Sequence, residues 1–193
     1  SLSPAPAAPA RRRLLASGAA LLLAACATRA PDPTVTTGRL ALRVDASAER
    51  PAQNVSAGFE LVGDSRQGEL KLLSPLGTQL AAARWAPGLA LLNTGDGERR
   101  FDTLDRLSRE ALGEALPLAA WPDWLAGRPW REAPHTALAD GFEQLGWRIT
   151  TSALADGQLL ARREAAPGLT LRVRLEPRES AVAGPRPEHP APR

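Results

Sequence analysis

Apolar and polar residues alternate along much of the chain from Gly38 onward, which is the pattern of strands that bury one face. The alternation is clearest in residues 40–44, 55–61 and 169–175. Further strand-like segments, separated by short turns, are found at 68–73, 78–85, 89–101, 146–153 and 157–165. Consecutive strands joined by short turns predict an antiparallel meander, in which we count about eight or nine strands.

After residue 101 the apolar spacing changes to that of a helix. The first predicted helix is capped by Asp102 or Thr103 and stops at Gly113, because glycine adopts the conformation that ends helices. Its apolar face carries Leu104, Leu107, Ala111 and Leu112.

A short second helix is predicted from about Pro117 to Gly127, and its start is left open because proline is tolerated only in the first turn and Pro122 lies further along. It carries three large apolar residues, Trp121, Trp124 and Leu125. The pattern as a whole predicts a mainly β domain of the α+β class, in which a curved sheet with one apolar face is covered by a helical insertion. Periodicity leaves open whether the helices fill the concave side of the sheet or leave a pocket.

The segment Ser74-Pro75-Leu76-Gly77 has the composition of a tight turn, because proline fixes φ and glycine tolerates positive φ. Leu76 would lie at the tip of this turn and be exposed unless an apolar partner receives it. A single exposed leucine is also common by chance, so both interpretations stand at this point.

Residues 1–25 predict a signal peptide, with the part before Arg11 treated as an N-terminal extension. Three arginines precede an apolar run, residues 14–25, that is shorter than the roughly 20 residues of a membrane-spanning helix. The end of the run, Leu23-Ala24-Ala25-Cys26, resembles the lipobox of bacterial lipoproteins, which implies that Cys26 becomes the lipidated first residue. An ordinary secretory signal that happens to contain a cysteine is the alternative.

The lipobox resemblance also predicts a location. Aspartate after the cysteine usually marks retention in the inner membrane, and Ala27 and Thr28 stand here instead, so we expect a lipid anchor in the outer membrane facing the periplasm. Three acyl chains would hold the protein there stably, since each buried CH₂ contributes ~0.8 kcal/mol. The proline-rich residues 26–37 predict an extended tether, residues 38–178 a folded domain and residues 179–193 a disordered tail.

Composition and missing motifs exclude several function classes. The pI is about 10.3, yet the net charge is only +3 and the arginines at 11–13 account for all of it, so no nucleic-acid surface is expected. One cysteine and two histidines, His135 in a predicted loop and His189 in the tail, argue against a disulfide or a zinc cluster. Glu110 and Glu114 are interpreted as part of a solvated helix face. We therefore expect no enzyme activity, no metal and no cofactor.

These features, taken in order, resemble the LolB family of outer-membrane lipoproteins from Cys26 to about Glu176. The matching features are the lipobox, the tether, the alternating strands, "LLSPLG", the helical segment ending "WPDWLAGRP", "GWRI" and "LTLRVRL". The resemblance implies an open antiparallel β-barrel, or half-barrel, of about eleven strands with a helical lid. It also implies a protein that receives other lipoproteins and inserts them into the outer membrane.

The resemblance assigns roles to particular residues. Leu76, with Pro75 and Gly77, matches the protruding turn that inserts into the membrane, although the family commonly has asparagine where this chain has Ser74. Candidates for the lid and the cavity are Leu104, Leu107, Trp121, Trp124 and Leu125. The implied partners are a periplasmic carrier similar to LolA, acylated lipoprotein cargo and outer-membrane lipid, with the protein acting as a monomer.

Two other function classes are compatible with the residues. One is a structural or assembly lipoprotein of the envelope whose sheet has a solid core and whose Leu76 contacts a protein. The other, a periplasmic hydrolase, has less support because no nucleophile, base and orienting group can be assembled from the motifs.

Overall fold

The structure is a computed structural model that describes residues 35–177. Its strands are β1 Val35–Val44, β2 Gln53–Gly63, β3 Gly68–Leu73, β4 Gln79–Ala86, β5 Leu89–Thr94, β6 Gly97–Phe101, β7 His135–Leu138, β8 Gly141–Gln144, β9 Trp147–Thr150, β10 Gln158–Arg163 and β11 Leu169–Leu175. The helices are α1 Leu104–Leu112 and α2 Trp121–Leu125, and two 3₁₀ turns lie at Leu118–Ala120 and Leu154–Asp156.

All eleven strands form one antiparallel sheet with the order β6-β5-β4-β3-β2-β1-β11-β10-β9-β8-β7. Because β1 pairs with both β2 and β11, the first and last strands lie side by side in the middle of the sheet. The edges are β6 and β7, which follow one another in sequence and are linked by residues 102–134, here called the helical insertion. The mainly β fold of about eleven strands, open rather than closed, is therefore confirmed.

The buried face of the sheet follows from the period-two pattern. In β11, Leu169, Leu171 and Val173 are buried, and Arg172 and Arg174, on the other face, are exposed. The register aligns these buried positions with those of β1, since Leu171 lies opposite Leu42 and Val173 opposite Leu40. The helical insertion covers this apolar concave face.

The predicted helix signals are also found. The Thr103 hydroxyl accepts a hydrogen bond from the Arg106 N–H, and Gly113 ends α1 with a φ of 77°. The second helical segment is divided into a 3₁₀ turn and α2, and Pro122 lies in the first turn of α2.

Two strands were missed in the sequence analysis, and His135 is the first residue of β7 rather than a loop residue. Three of the four residues of β7 are exposed, so this short edge strand has no apolar alternation to detect. In β8 the buried positions are Phe142 and Gln144, and a buried glutamine does not match the pattern of an amphipathic strand.

The boundaries of the folded part differ slightly from the predicted ones. Strand β1 begins at Val35 instead of Gly38, and Val35 lies opposite Val62 of β2. The proposed signal peptide, Cys26, most of the tether and the predicted tail from residue 179 lie outside the described residues. Within residues 35–177, neither helix combines the length and the apolar character that crossing a bilayer requires.

The antiparallel order also determines which turns share an end of the sheet. Strands β1, β3, β5, β8 and β10 all run in one direction, and we call the end where they finish the lower end. The turns at 74–78 and 145–146 therefore lie at the lower end. The start of β1 and the turns at 87–88 and 139–140 lie at the opposite, upper end.

Candidate functional site

An apolar cavity of about 330 Å³ lies between strands β1 to β5 and the helical insertion. Its floor is formed by Leu40, Leu42, Val55, Leu70, Leu72, Ala81, Ala83 and Leu92. Its roof is formed mainly by Leu107, Ala111, Leu112, Leu116, Leu118 and Trp121. Such a volume is at the small end of the range for ligand sites, and its leucine-rich walls suit a hydrocarbon guest.

Polar groups at the cavity lie mainly at its rim. An ion pair of 2.7 Å between Arg99 and Glu110 connects the edge strand β6 to α1, and Asp96 lies at the rim in the β5–β6 turn. Ser108 is the buried polar side chain of the wall, and its hydroxyl accepts a hydrogen bond of 2.9 Å from the Leu116 N–H. Since this hydroxyl has an internal partner, the wall around it remains suited to apolar contacts.

A second ion pair attaches the helical insertion to the other half of the sheet. Glu114, just after α1, accepts a hydrogen bond of 2.9 Å from Arg163 of β10, and both side chains are less than one-fifth exposed. Arg50, in the β1–β2 loop, donates to the Gly113 carbonyl at 3.0 Å. Glu114 was interpreted from the sequence as solvated, and that interpretation is wrong because its side chain is mostly buried and paired with Arg163. The pair could not be predicted from the sequence, since Arg163 is 49 residues away in the chain.

The helical insertion makes buried hydrogen bonds and aromatic contacts where it meets β8 and β9. Gln144 is 2% exposed and uses its whole amide: its oxygen accepts from Trp124 Nε1 and the Trp130 N–H, and its nitrogen donates to the Trp130 and Ala133 carbonyls. Trp124 also packs against Trp147, with ring centroids 6.1 Å apart. This network fixes α2 and the following loop onto the sheet.

The turn between β3 and β4 projects Leu76 into solvent with 94% of its surface exposed. Within this turn, the Gly77 N–H donates to the Ser74 carbonyl and the Ser74 N–H donates to the Thr78 carbonyl. Gly77 has a φ of 81°, and the Ser74 hydroxyl accepts from the backbone N–H groups of Leu76 and Thr78. Proline, glycine and serine therefore shape a turn that holds the leucine outward.

Apolar side chains continue from this turn toward the cavity. Leu72 lies four residues before Leu76 and belongs to the cavity floor. Leu80, at the start of β4, is 51% exposed at the same end of the sheet. The exposed leucine and part of the cavity floor therefore belong to the same hairpin, β3–β4.

The predicted lid and cavity residues do not all meet in one place. Leu107 and Trp121 line the cavity. Leu104 packs against the hydrophobic core but does not line the cavity. Trp124 lies in the packed region beside Gln144. Leu125 faces a larger depression, of about 1390 Å³, at the upper end of the sheet.

The larger depression is a weaker candidate for a hydrocarbon site than the cavity. Its wall includes four carboxylate side chains, Asp64, Asp123, Asp156 and Glu176. Asp123 is paired with Arg128 of the same wall, and apolar chains placed there would desolvate these charged groups at a cost in free energy. We therefore assign the candidate site to the smaller, leucine-lined cavity.

Three further residues hold the site together and were not predicted from the sequence. Gln144 and Arg163 anchor the helical insertion to the sheet, and Ser108 bonds within the insertion, each through a partner between 8 and 49 residues away. Arg163 lies on the buried face of β10, two residues after the buried Ala161, but a charged residue at a strand end gives no apolar signal of burial. If residues 141–150 had been predicted as strands, the burial of Gln144 could have been predicted as well, because it shares a strand face with Phe142, two residues before it.

Comparison with known proteins identifies the family. The family model described as "Outer membrane lipoprotein LolB" matches residues 35–176. The chain is 37% identical to the outer-membrane lipoprotein LolB of Bordetella petrii, over 85% of this chain and 90% of the relative. It is 32% identical to the protein of the same name from Cupriavidus necator, over 87% of this chain and 96% of the relative. The chain therefore belongs to the LolB family of outer-membrane lipoproteins.

Proposed function

We propose that this protein is a membrane-anchored acceptor that takes triacylated lipoproteins from a soluble periplasmic carrier and passes their acyl chains to the outer membrane. The observation that carries the proposal is the apolar cavity of about 330 Å³ under the helical insertion. Family membership supports the same role, and the fully exposed Leu76 lies at the end of the hairpin that leads to the cavity.

The need for a cavity follows from the free energy of hydrating acyl chains. A triacylated cargo has on the order of forty CH₂ groups, each worth ~0.8 kcal/mol on burial, so free release into water would cost tens of kcal/mol. The chains must therefore pass from one apolar host to the next. No covalent bond changes in this transfer, and its direction follows if the bilayer binds the chains most favourably.

The cavity must enlarge to hold three acyl chains, because its volume is at the small end for ligand sites. The helical insertion is the element that would move. It is held at the rim by the exposed Arg99–Glu110 pair and, on its other side, by the more buried Glu114–Arg163 pair. Moving α1 would require breaking these two ion pairs, the Arg50–Gly113 hydrogen bond and the packing of the buried Leu107, and it would leave the strand pairing intact.

Leu76 is assigned the membrane contact, with Pro75 and Gly77 shaping its turn. Its side chain makes little contact with the rest of the protein, so folding alone does not explain a leucine at this position. Insertion of Leu76 into the headgroup region would bring the cavity rim to the bilayer, and Leu72 would continue the apolar path for the leaving chains.

The experiment that tests the proposal replaces Leu76 by glutamate in the full lipidated chain, reconstituted in liposomes. We expect the variant to fold and to take up a lipoprotein from the carrier, but to insert it much more slowly, because a carboxylate resists burial in lipid. Pro87→Glu, which places the same charge in an exposed turn at the upper end, is the matched control. Equal insertion rates for all three proteins would contradict the proposal.

The alternative, a structural or assembly lipoprotein with a solid core, is less well supported because the concave side is hollow beneath α1. Binding of a lipophilic dye separates the two functions. Saturable binding that is lost when the cavity is filled supports the acceptor, and no binding supports the alternative.

The anchor forms the remaining part of the proposal. Cys26, outside the described residues, would carry the lipid and hold the protein as a monomer on the periplasmic face of the outer membrane. Mass spectrometry of the mature protein checks this directly, since an acylated N-terminal Cys26 is expected and an unmodified cysteine would contradict it.

A further inference from the structure

The turn between β8 and β9 contains an exposed leucine in an unfavourable backbone conformation. Leu145 has a φ of 54° and is 45% exposed, and the following Gly146 has a φ of 76°. Two consecutive residues with positive φ are the geometry of the tight hairpin turn that glycine, asparagine and aspartate normally form. Among residues 35–177, Leu145 is the one non-glycine residue with positive φ.

Neither property of Leu145 favours folding. A bulky side chain at positive φ strains the backbone, and asparagine in its place would relieve the strain while keeping the turn. Exposure of nearly half of the side chain means that much of its surface is not buried in the core. Strained residues of this kind are concentrated at functional sites, so Leu145 calls for a functional explanation.

The topology places Leu145 at the same end of the molecule as Leu76. Strands β3 and β8 run in the same direction, so the turns that follow them both lie at the lower end. The described residues have four exposed large apolar side chains, and three of them, Leu76, Leu80 and Leu145, are at this end. The fourth, Val35, is at the upper end.

We propose that Leu145 is a second membrane contact, which acts with Leu76 to orient the lower end against the bilayer. The inference rests on the proposed function, because it takes the membrane as the surface that Leu76 meets. The two hairpins are separated in the sheet by four strands, β2, β1, β11 and β10. One contact would let the domain tilt, whereas two separated contacts fix the direction in which the cavity rim faces.

A bilayer fits this arrangement better than a protein partner. A stable protein interface needs a continuous, well-packed surface on the order of 1,000 Å² or more. The lower end instead offers separate leucine tips on different hairpins. A fluid bilayer accepts such tips at any spacing, because lipids rearrange around each side chain.

The test uses the full lipidated chain in vesicles of phosphatidylethanolamine and phosphatidylglycerol, loaded with a fluorescent triacylated lipopeptide. Leu145→Asn keeps the turn and removes the apolar tip, and Leu145→Met keeps an apolar tip as the matched control. We expect Leu145→Asn to raise the Tm by about 2–4 °C through relief of strain. We expect it to slow transfer of the lipopeptide into the bilayer by about fivefold, with Leu145→Met close to the parent protein.

The outcomes separate this inference from the proposed function. Transfer by Leu145→Asn at the parent rate, while Leu76→Glu is slow, overturns the second contact alone. If Leu76→Glu also transfers at the parent rate, the proposed function fails as well. Slower uptake from the carrier combined with normal transfer to the bilayer would assign Leu145 to a protein partner and overturn the inference.

A direct measurement of contact supports or overturns the same point. Leu145→Cys and Pro87→Cys, each labelled with a polarity-sensitive dye, compare the lower and upper ends of the vesicle-bound protein. Acylated Cys26 would leave the introduced cysteine as the single free thiol, because the chain has one cysteine of its own. We expect an apolar environment at 145 and an aqueous one at 87, and an aqueous environment at both positions contradicts the proposal.

Discussion

The two halves of the sheet are both built from antiparallel strands, but they pack differently against the helical insertion. Under α1, strands β1 to β5 present leucine and alanine to a cavity of about 330 Å³. Under α2, strands β8 and β9 meet tryptophans that fill the space and a glutamine that satisfies all of its hydrogen bonds. One helical insertion is thus held firmly at one side and covers a hollow at the other.

The largest expected difference between the halves is in how much stability is lost when a tryptophan is replaced by alanine. Trp124→Ala should lower the free energy of unfolding by about 3–5 kcal/mol, because it empties a packed site and removes a partner of Gln144. Trp121→Ala should lower it by roughly 2–3 kcal/mol, since Trp121 borders space that already exists. Denaturant unfolding measures both variants, and equal losses would mean that the two halves are packed alike.

Added volume should have opposite effects in the two halves. Ala161→Leu, at a position that is 0% exposed in β10, should destabilise the protein by about 1–3 kcal/mol through overpacking. Ala83→Leu places the same three extra carbon atoms in the cavity floor, so its stability should stay within about 1 kcal/mol of the parent. Binding of a lipophilic dye should fall for Ala83→Leu, and unchanged binding would mean that the dye binds elsewhere.

The two ion pairs that hold the helical insertion give the smallest expected effects. Glu114→Gln should reduce stability by about 1–2 kcal/mol, because it leaves the mostly buried Arg163 without its charged partner. Glu110→Gln should change it by less than about 0.5 kcal/mol, since the Arg99–Glu110 pair is half exposed to solvent. Thermal unfolding at low and high salt checks which ion pair contributes more to stability, because salt should strongly screen only the exposed Arg99–Glu110 pair.

Much of the sheet could be predicted from the sequence because its strands are amphipathic. Period-two alternation locates β1, β2 and β11, and the cap residues Thr103 and Gly113 locate α1. The two strands that were missed lie at one edge, where β7 has almost no buried residue and β8 buries a glutamine. Alternation indicates burial of apolar side chains, so it fails where the buried group is polar.

The candidate site could be predicted only in part, for a different physical reason. The composition of the 74–77 turn indicates an outward Leu76, and its exposure of 94% agrees with that interpretation. The cavity depends on how far the helical insertion lies from the sheet, and that distance is set by contacts such as Glu114 with Arg163, which are remote in sequence. Leu145 at positive φ contradicts local preference, so sequence propensity could not suggest its conformation.

The placement of β6 and β7 at the two edges has a mechanical consequence. A closed barrel has a circumference fixed by a continuous ladder of backbone hydrogen bonds, and widening it requires some of them to break. In this molecule the seam is spanned by residues 102–134, and the ladder runs unbroken from β6 through the middle of the sheet to β7. Widening this sheet at the seam would therefore break contacts of the helical insertion but none of the strand pairing.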